Sequence, residues 1–259
     1  MPQNIDKQAV ANSFSKAASH YDQFAQLQRD IGEQLLKNIS LENAPKIIDL
    51  GCGTGFFSAK LANKFPNATI TCFDLSQAML VQTQNRNIGN ANYQLGDIDF
   101  LPFTQNSVDL IYSNLVVQWS DNLLNCLAQI KDSLKVGGKG YLTTLLSGTL
   151  DELTQAWKVV DNHPHTNTFL SLQSIQAILE KAGFSSVEIK TETRLLQYEN
   201  VIEVMRALKG IGANHVHDHQ TLTISGRKLL KKLQVGYLPF INEQGLLNLT
   251  YQVCYIEVI

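Results

Sequence analysis

At 259 residues the chain can build one full hydrophobic core, and its 44% hydrophobic and 17% charged content is that of an ordinary globular protein. A net charge of −2 excludes a nucleic-acid binder that relies on bulk positive charge, so any site for a charged partner must be local. No apolar run approaches membrane-spanning length.

Met1 to Ser13 is polar and has no apolar signal core, and Cys52, Cys72, Cys126 and Cys254 are scattered with no C-x-x-C pair. Reduced, buried cysteines and a cytoplasmic location are expected. Residues 6–39 read as helical, with Ile31, Leu35 and Leu36 at helical spacing. Apolar runs then predict strands at 46–50, 69–73, 93–95, 108–113 and 140–145, alternating with helices near 56–64, 77–86 and 122–135. Lys135-Val136-Gly137-Gly138-Lys139-Gly140 predicts a helix end turning into the fifth strand.

Beyond Leu145 the pattern predicts a helix over 149–162, a polar loop to Phe169, a helix over 172–182 stopped at Gly183, and a strand at 187–191. Asn200 caps a helix carrying Val201, Val204, Leu208 and Ile211 on one face. A helix over 226–235 precedes a C-terminal strand in which Leu247, Leu249, Tyr251, Val253 and Tyr255 alternate. This order predicts an α/β fold, a doubly wound, seven-stranded, mostly parallel sheet in a single domain over 1–259. Segments 41–194 and 241–259 form its core. Segments 1–40 and 195–240 form a helical lid over the C-terminal sheet edge, where open α/β sheets bind ligands.

The most informative stretch is Asp49-Leu50-Gly51-Cys52-Gly53-Thr54-Gly55, between an apolar run and a helix-compatible run, with Asp74 ending the next strand. Glycines let a backbone pass close to a ligand, and the helix N-terminus behind them offers free N–H groups. Asp74 can accept both hydroxyls of a ribose. The spacing D-x-G-x-G-x-G departs from the dinucleotide pattern G-x-G-x-x-G. Asp49 would repel a phosphate but suits a ligand ammonium. The motif resembles the first motif of class I methyltransferases that use S-adenosylmethionine.

Further candidates lie at successive strand ends. Asp97 of Gly96-Asp97-Ile98 can accept from an adenine amine while Ile98 covers the ring. Asn114 and Leu115 can face the methionine portion, and Leu75, Ser76 and Met79 follow Asp74 into the adenosine region. Tyr21 and Gln28 are seven residues apart and share one face of a helix. A plain amphipathic helix packing on the sheet accounts for that spacing equally well.

Over nearly its whole length the chain resembles the malonyl-acyl-carrier protein O-methyltransferases of biotin synthesis. The resemblance rests on Tyr21-Asp22 with Gln28, Asn114 to Trp119, Gln155-Ala156-Trp157, His163 to Leu170, Met205 to His215, and Leu249-Thr250-Tyr251. It implies methyl transfer from S-adenosylmethionine to the free carboxyl of a malonyl thioester on a carrier protein, or on coenzyme A. A carboxylate is ionised at neutral pH, so no general base is needed. Arg206 and Lys209, three apart on one helix face, are candidates to hold that carboxylate. Tyr21, Gln118, Trp119, His165, Asn214 and His215 are further candidates. Arg227, Lys228, Lys231 and Lys232 form a basic stripe suited to an acidic carrier protein, with Leu229, Leu230 and Leu233 turned inward. The alternating His215, His217 and His219 have no accompanying Cys or carboxylate cluster, and no metal is expected. Other acceptors remain open, a small carboxylic acid or a quinone precursor, as does a non-enzymatic S-adenosylmethionine-binding protein.

Overall fold

A computed structural model of the chain describes residues 5–213 and 226–259. Seven strands form one sheet: β1 (Lys46–Leu50), β2 (Thr69–Asp74), β3 (Ala91–Leu95), β4 (Val108–Asn114), β5 (Leu134–Leu145), β6 (Val187–Tyr198) and β7 (Leu247–Val258). Their order is β3-β2-β1-β4-β5-β7-β6, parallel except for β7, which runs antiparallel to both neighbours. The chain runs outward from β1 to β2 and β3 and then crosses back to β4 on the other side of β1, so a crevice opens above the carboxyl ends of β1 and β4 where the strand order reverses.

Both sheet faces are covered. Ile47 points into one apolar layer and Ile48 into the other, as the period of a strand requires. One layer takes the apolar stripes of α3 (Gln26–Lys37), α4 (Phe56–Lys64), α7 (Asp151–Lys158), α9 (Val201–Gly210) and α10 (Gly226–Tyr237). The other takes α6 (Leu123–Ser133) and α8 (Leu172–Ala182). Helix α5 (Gln77–Gln84) follows β2, its N-terminus capped by the Ser76 hydroxyl. Residue Asn200 caps α9, and Gly183 ends α8 in the left-handed region, as their sequence positions predict.

The elements differ from expectation in three places. The N-terminal segment is three helices, α1 (Lys7–Ala17), α2 (Tyr21–Phe24) and α3, because the chain turns at His20 and Ala25. Strand β5 begins at Leu134, and Gly137 (φ 78°) lies in a bulge between Val108 and Leu110 of β4, where a turn was expected. Strand β6 continues past Thr191 to Tyr198, paired residue for residue with β7, so residues 195–198 belong to the sheet and not to the lid. Among the described residues no helix is long and apolar enough to cross a membrane.

Candidate active site

The glycine loop is built by backbone geometry. Gly51 (φ 73°) lies against Val116, and a Cβ there would come within 2.2 Å of its side chain. Gly53 (φ 55°) has open space where a Cβ would be, so the loop presents bare backbone to the crevice. The Gly51 and Cys52 N–H groups donate to the Phe73 carbonyl, at 2.7 and 3.0 Å.

Asp74 fixes the loop from the other side. Its Oδ2 accepts from Gly53 N at 2.8 Å and its Oδ1 from Ser76 N at 2.8 Å. An ionised carboxylate offers about four acceptor positions, so two remain for ribose hydroxyls. Burial pushes the Asp74 carboxyl up to about 6 against the lowering effect of those backbone donors. Asp49 lies beneath the loop, 2% exposed, and accepts from the Ser58 hydroxyl at 2.5 Å. Burial, together with the charge of Asp74, pushes it up to about 7. It does not line the crevice, so the expected contact with a ligand ammonium gives way to a structural role. Gly55 also lies off the crevice, starting α4 with its hydrogen against Thr83.

The crevice itself is lined by Gly51, Gly53, Asp74, Leu75, Ser76, Met79, Asp97, Ile98, Asn114 and Leu115, together with Lys7, Val10, Phe14 and Tyr21 from the N-terminal helices. Helix α1 is clasped over it. Lys7 Nζ lies 2.8 Å from Asp97 Oδ1 and 2.6 Å from Asp99 Oδ2, and the Ser15 and Ser76 hydroxyls are 2.8 Å apart. Burial disfavours the Lys7 charge, but the two carboxylates outweigh it and its pKa is raised; Asp99, despite its own burial, is held below the usual carboxylate range. Asp22 ties α2 to the glycine loop, accepting from Thr54 Oγ1 at 2.7 Å and Arg86 Nη2 at 2.5 Å.

A second cavity adjoins the first. Phe14, Tyr21, Leu115 and Trp119 line both; Gln28, Gln118, Asn167, Phe169, Leu208 and Tyr251 complete much of the second. Leu115 between them takes φ 58°, a strained conformation for a branched residue. A chain of hydrogen bonds holds it there: Leu115 N donates to Thr143 Oγ1, which donates to Asn114 Oδ1, both at 2.8 Å. Asn114 Nδ2 donates to the Gln28 carbonyl at 2.9 Å. Gln28, expected at the cofactor, lines the second cavity. Desolvation, then Asp74 and Asp22, raise the Tyr21 phenol, so it stays a neutral donor.

The remaining candidates lie elsewhere. Arg206 and Lys209 are exposed on α9 and line neither cavity, because the face carrying Val201, Val204 and Leu208 is the one turned inward. The structure does not bring them to the acceptor cavity as expected. His165 stacks on Trp157, ring centroids 3.8 Å apart, and meets Asp161 at 2.7 Å; it lines a neighbouring groove that shares Asn167 and Phe169 with the second cavity. Asn214, His215 and the side chain of Arg227 lie outside the described residues. Lys228, Lys231 and Lys232 are exposed on α10 while Leu233 is buried. The sequence did not single out Lys7, Phe14 or Thr143, and it marked Asp22, Asn167 and Phe169 only as carriers of the resemblance, with no place in the site. Among the described residues no group of three His, Cys, Asp or Glu side chains could hold a metal.

Residues 47–138 match the family profile described as a methyltransferase domain. The chain is 39% identical over 251 residues to the malonyl-acyl-carrier protein O-methyltransferase of Serratia marcescens, covering 97% of this chain and 95% of that protein. The chain belongs to the malonyl-acyl-carrier protein O-methyltransferase family. It is also 36% identical over 253 residues to the biotin biosynthesis bifunctional protein BioHC of Cellvibrio japonicus, of which it spans about half the length (50%). Among solved structures, a putative methyltransferase from Bacillus halodurans shares the fold with a TM-score of 0.63 at 16% identity, over 88% of this chain and 98% of that one. Phosphoethanolamine N-methyltransferase 2 of Haemonchus contortus, in complex with S-adenosyl-L-methionine, gives a TM-score of 0.55 at 19% identity, over 89% of this chain and 52% of that one. Members of this class I family use S-adenosylmethionine as methyl donor, and the first cavity fits it. Asp74 has acceptor capacity to spare, Gly53 leaves its Cβ position open, and Ile98 and Met79 supply an apolar wall.

Proposed function

We propose that this chain transfers the methyl group of S-adenosylmethionine to the free carboxylate of a malonyl thioester carried on acyl carrier protein, leaving a methyl ester. The observation that carries this reading is the chemistry of the second cavity. Its described lining is apolar side chains, amides and phenols, with no group that titrates near neutrality. Burial raises Tyr251 as it raises Tyr21. An acceptor that must lose a proton, such as a ring carbon, would find no base among the described residues lining it. A carboxylate arrives already ionised.

Bound S-adenosylmethionine supplies an electrophilic methyl on a cationic sulfur. Asp74 would hold the ribose and Asp97, whose Oδ1 is taken by Lys7, would accept from the adenine amine. Tyr21 donates its O–H to one oxygen of the acceptor carboxylate, and the other stays free to attack. The amides of Gln118 and Asn167 orient the malonyl chain. Phe14, Leu115 and Trp119 wall the junction and keep water out. Opposite charges are neutralised during transfer, so exclusion of water favours the transition state. The strained turn at Leu115 sets the spacing of the two cavities, and positioning is the main catalytic contribution.

Purified protein with radiolabelled S-adenosylmethionine is offered malonyl-acyl carrier protein, a free dicarboxylic acid and a quinone precursor. Label in a base-labile ester on the first supports the reading. Label only on another acceptor, or binding with no transfer to any, overturns it.

A further inference from the structure

Carrier-borne substrates hang from a pantetheine arm, a flexible chain with two amides between a phosphate and the thioester. A cavity that methylates such a substrate needs a path for that arm. Two grooves meet the acceptor cavity. One, of about 300 Å³, shares Gln118, Leu145 and Phe169 with it, and its outer part carries Asp121, Asn122 and one cation, Lys181. The other, of about 470 Å³, shares Asn167 and Phe169 with it.

This second groove is built for a polar, extended occupant. Ser147, Thr154 and Thr166 line it, and its wall is the Trp157–His165 stack braced by Asp161. At its inner end the buried Asn167 Oδ1 has no hydrogen-bond partner among the described residues. At its outer end stands the exposed Lys158. Helix α10 packs tightly along α7, since a Cβ on Gly236 would lie 2.4 Å from the Ala156 carbonyl. The basic stripe of Lys228, Lys231 and Lys232 is thereby carried on the helix adjoining the groove wall.

Given the carrier-bound substrate proposed above, we infer that the pantetheine arm enters through the groove between α7 and the 162–169 loop. Its amides meet Thr166 and Asn167, and its phosphate and the acidic carrier protein face Lys158 and the α10 stripe. Each groove carries one carboxylate and one lysine, Asp121 with Lys181 in the first and Asp151 with Lys158 in the second. The choice rests on the buried, unpartnered Asn167 Oδ1 and Trp157 Nε1 of residues lining the second groove, and on the basic stripe of the helix packed against its wall.

The test measures the Michaelis constant for malonyl-acyl carrier protein. Ser147 is exposed and its hydroxyl makes no hydrogen bond among the described residues, so Ser147→Trp blocks the groove without removing a contact. It should raise the constant at least about tenfold, equivalent to ~1.4 kcal/mol. S-adenosylmethionine affinity should stay unchanged by calorimetry. Leu124→Trp, which blocks the other groove, should leave the constant within about twofold. Should Ser147→Trp misfold, Lys158→Glu with Lys228→Glu tests the same path from its rim and should give a similar rise. Normal constants in these variants, or a rise in Leu124→Trp alone, would overturn the route while leaving the acceptor assignment standing. No transfer to malonyl-acyl carrier protein by the wild-type protein would overturn both.

Discussion

Asp74 is the residue on which the donor site turns, and Asp74→Asn is the sharpest probe of it. The substitution keeps size and shape but gives one oxygen position to an NH₂ group. Both carboxylate oxygens already accept from backbone N–H groups, of Gly53 and Ser76, each at 2.8 Å. The amide must then face one of those donors or turn from the ribose. A hydrogen bond to a charged group is worth about 1.5–3 kcal/mol, so loss of one lowers S-adenosylmethionine affinity about 10- to 150-fold. Stability should move far less, because burial pushes the Asp74 carboxyl up to about 6 and the neutral amide escapes that cost. Calorimetric titration at pH 7.5 with a parallel thermal melt separates the two. The pH dependence adds a second readout. Wild-type affinity should fall as pH drops through about 6, where Asp74 takes up a proton, and the Asn variant should lack that fall. Unchanged affinity in Asp74→Asn would refute the placement of the ribose.

Tyr21→Phe removes the only donor assigned to the acceptor carboxylate; turnover should fall about 10- to 100-fold with S-adenosylmethionine affinity nearly unchanged, measured by steady-state kinetics and calorimetry. Arg206→Ala and Lys209→Ala, on the outer face of α9, should each leave turnover within about threefold; a hundredfold loss would bring that face to the carboxylate. Asp49 is 2% exposed with its pKa raised to about 7, so the folded state binds a proton that the unfolded state has already lost. Its contribution to stability therefore declines as pH rises from about 4 to 7, by on the order of a few kcal/mol. Asp49→Asn, whose amide oxygen can still accept from Ser58, should flatten that decline in denaturant melts at pH 5 and 7.5.

The parts of this molecule that were legible in the sequence are those set by local rules. The alternation of β1 to β4 with α4 and α5 follows from apolar runs and caps. The crevice follows from Gly51, Gly53 and the strand-end residues Asp74, Asp97 and Asn114, because strand ends in a parallel sheet converge on one edge. What was not legible depends on long-range packing. Helical spacing put Arg206 and Lys209 on the face opposite the apolar stripe of Val201, Val204 and Leu208, but only the packing of that stripe shows that the acceptor cavity lies on the inner side, away from them. Asp49 reads as a ligand contact beside the loop, yet its strand alternation turns it down to Ser58. Lys7 and Asp97 are 90 residues apart, and nothing local marks their pairing. The strain at Leu115 is likewise set by Thr143 on a neighbouring strand.

The central claim is that a neutral, water-excluding cavity methylates a carboxylate already ionised. Mass spectrometry of the malonyl-acyl carrier protein product, before and after mild alkali, tests it most directly. The account predicts one added methyl on the malonyl group, lost on alkaline treatment with return of the free acid. A methyl that survives alkali, or an unmodified carrier protein beside consumed S-adenosylmethionine, would contradict it.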